Sequence, residues 1–228
     1  MTPTPTTNRT TSAFRALFLL TCAALATAYA APMITPNENP TSAAAIEPST
    51  LLVQSFTVTD TWMNVAISAS LFTFSTETRT GTAYLTNQFG AGTTVANQIG
   101  ATNFVFTPVA SFPTVVSVGL FSGLTLLPGT YYLTLATAAP CCEQGISTKP
   151  ALAFATAPGV TVGPPQSINT GLDALFPPAS TGTLGTSPFG NRFFTVTGEL
   201  ASSAVPEPST VLLISAGLLA MIHLRKRE

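Results

Sequence analysis

Histidine is almost missing from this chain of 228 residues: the single copy is His223, close to the C-terminus. Everything before it has no imidazole for Ser-His-Asp hydrolysis, Cys-His proteolysis or His-ligated zinc. The side chain most used for proton transfer near neutral pH is absent there too. Charge is also scarce, at 7% of residues. Between residues 31 and 204 three cations (Arg79, Lys149, Arg192) face seven carboxylates (Glu38, Glu47, Asp60, Glu77, Glu143, Asp173, Glu199), a balance of −4. Nucleic acid is excluded as a partner, because its phosphates need Lys and Arg to neutralise them. The acidic excess is too small for a disordered acidic tail. No segment of this body shows a sustained helical period, which excludes a helical bundle.

The two ends are the most legible parts. Arg9 and Arg15 accompany an apolar stretch from Phe14 to Ala26, followed by Ala28-Tyr29-Ala30. Basic region, apolar core and small-x-small site are the parts of a secretory signal peptide. Cleavage after Ala30 leaves Ala31 first; cleavage after Ala31 is disfavoured, because Pro32 would follow the scissile bond. An uncleaved anchor helix is the alternative, but the apolar core is short for a bilayer. A lipoprotein signal ending at Cys22 is a second, weakened by Thr21 where a smaller residue is wanted. At the other end Pro206-Glu207-Pro208 precede an apolar run of 14 residues, Val211 to Leu224, and then Arg225-Lys226-Arg227. As a helix this run is about 21 Å long, which Ser209, Thr210 and the snorkelling basic stems extend. A buried terminal helix would carry an amphipathic stripe, whereas this run is apolar all round.

This tail resembles the PEP-CTERM sorting signal: Val205-Pro206-Glu207-Pro208, a short hydrophobic helix and a basic end, in that order, over the last 24 residues. The resemblance implies that Pro206, Glu207 and Pro208 are the recognition motif. It makes Val211 to Leu224 a transmembrane helix and Arg225, Lys226 and Arg227 the membrane stop. His223 and Glu228 depart mildly from the family pattern. It further implies a Gram-negative, exopolysaccharide-producing host and processing by an exosortase, an integral-membrane transpeptidase-like enzyme. The tail is then an address, removed near Pro206, and the product reaches the cell surface or extracellular matrix after transient membrane anchoring.

The body reads as β. Phe56 and Val58 alternate with Thr57 and Thr59; Val65, Ile67, Ala69 and Leu71 alternate again. Phe72 and Phe74 then take the other parity, which predicts a bulge or bend near Leu71. Further strands are expected over 82–86, 103–107, 114–121, 130–137, 151–156 and 192–197. Pro128-Gly129 reads as a turn. Gly81-Thr82-Ala83-Tyr84-Leu85-Thr86 echoes Gly129-Thr130-Tyr131-Tyr132-Leu133-Thr134, as two strands with one inside-outside pattern would. About eight short strands point to a single antiparallel β-sandwich, jelly-roll-like. The expected layout is signal peptide 1–30, flexible linker 31–50, β-sandwich domain 51–200, linker 201–205 and sorting signal 206–228. Residues 157–191, with Pro164-Pro165 and Pro177-Pro178, read as a long loop, a candidate wall for a ligand surface, pinned by Leu172, Leu175 and Phe176.

Cys141 and Cys142 are adjacent. In an oxidising compartment they would form a strained vicinal disulfide, pair between molecules, or act as a thiol pair without a histidine partner. Trp62, Tyr131 and Tyr132 are candidate glycan contacts, against a core-packing alternative for each. Neighbouring tyrosines on a strand face opposite ways, so only one of Tyr131 and Tyr132 belongs in the core. Asp60, Glu77, Glu143, Asp173 and Glu199 show no spacing that picks out a glycosidase pair. Calcium at Asp60 or Asp173 lacks a clustered Asp-x-Asp motif. No catalytic residue, metal or cofactor is assigned. The expectation is an exported, exosortase-processed, non-enzymatic structural or adhesive protein associated with exopolysaccharide. The alternatives are a carbohydrate-binding module and a secreted glycan hydrolase.

Overall fold

A computed structural model describes residues 30–40, 42–73, 77–107, 114–137, 144–149, 153–186 and 191–201. Ala28, Cys141, Cys142 and everything from residue 202 onward lie outside these, including Pro206–Pro208, the run 211–224 and Arg225–Arg227. In chain order the strands are β1 (Ala31–Pro36), β2 (Ser42–Ala45), β3 (Leu51–Val58), β4 (Trp62–Thr73) and β5 (Arg79–Thr86). Then come β6 (Gln98–Phe106), β7 (Thr114–Leu126), β8 (Gly129–Ala136), β9 (Gln144–Lys149) and β10 (Phe154–Thr156). Last are β11 (Val160–Ile168), β12 (Gly185–Thr186), β13 (Asn191–Arg192) and β14 (Phe194–Leu200).

All pairings between these strands are antiparallel, and they form two sheets. The first has β1, β14, β4 and β7 side by side, with β9 continuing along the β14 edge of β4. The second runs β12-β11-β3-β8-β5-β6. Alternation explains the core between them. In the first sheet Val65, Ile67, Ala69 and Leu71 of β4 face inward with Phe194 and Val196 of β14. In the second, Leu52, Phe56 and Val58 of β3 join Ala83 and Leu85 of β5 and Leu133 and Leu135 of β8. The Phe56 and Phe194 rings meet across the layers at 6.2 Å. The echoed segments become the neighbours β5 and β8, and they share their pattern: Ala83 and Leu85 are buried, as are Tyr131 and Leu133.

Three expectations need correction. Residues 31–50 are not a flexible linker, because β1 and β2 lie within them and pair into the first sheet. Met33 and Ile34 are consecutive yet both fully buried, which a register shift between Pro32 and Ile34 permits. The domain therefore begins at β1 and not at Leu51. The bulge near Leu71 is absent: Leu71 and Phe72 stay in unbroken register with Val116 and Val115. The irregularities of β4 lie upstream between Trp62 and Ser68, beside Asn64, whose φ is 52°. Finally, 157–191 is not one loop. β11 occupies Val160–Ile168 despite Pro164-Pro165, since the ladder to β3 shifts register between Val162 and Pro165. The buried Gln54 side chain caps that break, donating from Nε2 to the Gly163 carbonyl at 2.7 Å.

With β1 an integral strand, Ile34→Ala should cost about 2–5 kcal/mol, the usual range for a buried aliphatic truncation. Thermal unfolding followed by circular dichroism checks this. An unchanged transition would restore the linker.

Candidate functional site

On β5, Thr80, Thr82 and Tyr84 alternate with inward-facing Ala83 and Leu85, so they form the outer face of the second sheet. On the paired β6, Asn103 and Val105 flank the inward Phe104 and extend that face. Residues 169–184 fold over part of it. The loop closes on itself at its base, where the Thr181 N–H donates to the Gly171 carbonyl at 2.8 Å. Gly171 has φ of 60°, and a side chain on Gly182 would collide with the Thr170 carbonyl, so both positions need glycine. Inside the loop, Asp173 Oδ1 accepts the N–H groups of Leu175 and Phe176, each at 2.9 Å. The buried Ser180 hydroxyl accepts the Asp173 N–H and donates to the Pro177 carbonyl.

The loop is anchored by Phe176, whose ring meets Tyr84 edge-on at 5.8 Å, and by buried Pro177 and Pro178. A second loop braces it, with the Gly90 N–H donating to the Pro178 carbonyl. Of the three expected pins, Phe176 holds the loop, Leu172 lines the cleft described next, and Leu175 is 95% exposed.

Between this loop and the sheet lies an open cleft of about 690 Å³. Its floor is Thr80, Thr82, Tyr84, Asn103 and Val105. Leu172, Asp173, Ala174 and Pro177 form one side, and Glu47, Pro48 and Leu51 contribute to another. The size falls in the range of about 300–1,000 Å³ usual for ligand sites. The Thr82 hydroxyl donates to Asn103 Oδ1 at 3.0 Å. Two carboxylates, Glu47 and Asp173, line the cleft.

The expected glycan contacts fare differently. Trp62 is 4% exposed within the core, so it offers no ring face to a ligand. Tyr131 is likewise buried, stacked on Phe56 at 5.7 Å, with its hydroxyl donating to the Leu127 carbonyl at 2.7 Å. Tyr132 points the other way, half-buried against Phe89, and does not line the cleft. The aromatic residue of the cleft is instead Tyr84. Among the described residues Asp173 is the one scattered carboxylate that reaches the cleft, and Glu143 lies outside them; its companion Glu47 sits in the stretch read as a linker. Asp60 accepts from Thr59, Glu77 pairs with Arg79 at 3.3 Å, and Glu199 accepts from Asn64. Among the described residues no group of three His, Cys, Asp or Glu is placed to hold a metal.

Arg192 is buried away from the cleft, its guanidinium reaching the Gln166 carbonyl at 3.5 Å. Burial pulls its pKa down to about 10, so it remains a cation at neutral pH. Burial pushes the Tyr131 phenol upward, because the phenolate would be stranded in the core.

Residues 204–227 match the family model described as the PEP-CTERM protein-sorting motif. The chain carries this motif, and with it the marks of an exported, exosortase-targeted protein of a Gram-negative bacterium. No curated protein matches the chain. Among the described residues no helix is long and apolar enough to cross a membrane; the run 211–224 lies outside them.

Two measurements follow from the aromatic placements. Trp62 is the sole tryptophan, so native fluorescence should be blue-shifted, and Trp62→Ala should cost about 3–5 kcal/mol in denaturant unfolding. A Tyr131 pKa raised by folding gives stability that is full below pH about 10 and lost as pH rises through the folded value. Stability measured from pH 8 to 11 should fall at the top of that range, and Tyr131→Phe should flatten the fall.

Proposed function

We propose that the protein is a non-enzymatic structural or adhesive component of an extracellular polysaccharide layer, delivered by its sorting tail. The observation that carries the reading is the motif match at 204–227, starting a few residues after the last strand ends at Leu200. A β domain set beside such a tail is the part left outside the membrane once the tail is processed.

The fold supports a load-bearing role. The first strand of the sheets pairs with the last, β1 with β14; then β3 with β8, β4 with β7 and β5 with β6. The sheets order as β1-β14-β4-β7 and β3-β8-β5-β6, the wrapping of a jelly-roll sandwich. The lack of histidine before residue 223 favours binding over catalysis.

Cell fractionation tests the reading. The wild-type chain should distribute to the outer surface and matrix with the basic tail removed. Replacing Pro206, Glu207 and Pro208 together by alanine should leave a full-length, membrane-held form. A triple variant that is processed and released like wild type would sink the proposal.

A further inference from the structure

We propose that β6 is a docking edge for the β6 strand of a second copy of this chain, so that two sandwiches join side by side about a two-fold axis. The inference goes beyond the function proposed above and does not rest on it.

A strand at the border of a sheet presents unpaired N–H and C=O groups, and folds blunt such borders by shortness, proline, bulges or charge. Most borders of this domain are blunted. The terminal strands β10, β2, β12 and β13 have 3, 4, 2 and 2 residues. Beside β10, β1 carries Pro32 and Pro36; beside β12, β11 carries Pro164 and Pro165 with a register break. The β6 side is different. Among the described residues β6 pairs only with β5, and β7 only with β4. These strands have 9 and 13 residues, with no proline and no charged side chain in either. The ladder of β7 is irregular beyond Gly119, whereas β6 is unbroken from Gly100 to Phe106. Thus β6 is the long, regular edge left open.

The core is also incompletely covered on this side. Ile99 of β6 and Val118, Phe121 and Leu124 of β7 are only partly buried against it. The two strands lie against each other across the layers, since a Cβ on Gly100 would stand 3.1 Å from the Phe121 ring. Val105 adds an apolar side chain that is 57% exposed.

A second copy fits this edge because the edge fits itself. A two-fold axis at Asn103 lays β6 antiparallel to its counterpart over the unbroken stretch. Ala101 then stands opposite Val105, and Asn103 opposite its own equivalent. No like charges meet, because neither β6 nor β7 has any. Strand of about 30 Å, in two layers about 10 Å apart with side chains outside them, presents roughly 600 Å² per copy. Two copies then bury about 1,200 Å², where specific interfaces begin.

Sedimentation equilibrium of the processed protein tests this, and a monomer–dimer equilibrium is expected. Asn103→Lys sets two ammonium groups opposite each other and should weaken association by roughly tenfold or more, as should Asn103→Asp. An equimolar mixture of the two variants should recover it, which a misfolded variant could not do. Thr156→Lys, at an exposed position of β10 on the far border, should leave it unchanged. In the wild type, amide hydrogen exchange over 98–106 should slow as the protein is concentrated through the association range. A protein that is monomeric at every concentration overturns the proposal. So does a dimer indifferent to Asn103→Lys, or exchange over 98–106 that ignores association. Failure of the mixture to associate, with both variants folded by circular dichroism, overturns it as well.

Discussion

The pairing of β1 with β14 closes the structure. It joins the beginning of the body to its end, through Ala31 opposite Gly198 and Ile34 opposite Val196. Within that closure β3 with β8, β4 with β7 and β5 with β6 are nested pairs, and β4 pairs beyond them with β14 as well. Phe56 and Phe194 meet across the layers although they belong to the third and the last strands. Contacts of such long sequence separation carry a large loop-closure cost before they return any burial. Folding of this domain is therefore bound to wait for its C-terminal strand.

That constraint also explains which parts of the fold were readable. β3, β5 and β8 sit in the interior of the second sheet, and their alternation of apolar with Thr, Ser or Tyr is the direct trace of one inward face. β1 was hidden because Pro32 and Pro36 give it the composition of a linker. Pro32 lies at the start of the strand, ahead of the β10 pairing at Ile34–Pro36, where a missing N–H is tolerated. β11 was hidden for the same reason, since Pro164-Pro165 argues against a strand unless the register breaks there. Nothing local announces that Gln54, more than a hundred residues earlier, will take up the Gly163 carbonyl.

The cleft was only half readable. The 157–191 segment was recognisable as a candidate wall by its length and its Pro and Gly content. Its closed form depends on Gly171 and Gly182 facing each other, a relation that exists only in three dimensions. Glu47 and Asp173 share no spacing in the sequence. Trp62 attracted attention because tryptophan is a strong sugar platform, but the same large apolar area is a reason to bury it in a core. The sorting motif was fully readable, because its recognition depends on the order of short linear parts and on no tertiary contact.

The near absence of charge links these levels. Between residues 31 and 204 few side chains repel one another or demand counter-ions, so threonine, serine and asparagine hydroxyls and amides make most of the polar surface. Glu47 and Asp173 are the carboxylates that line the cleft beside Tyr84. Arg192 shows the contrast: it is a buried cation held by backbone carbonyl contact, away from the cleft, with its pKa lowered by desolvation.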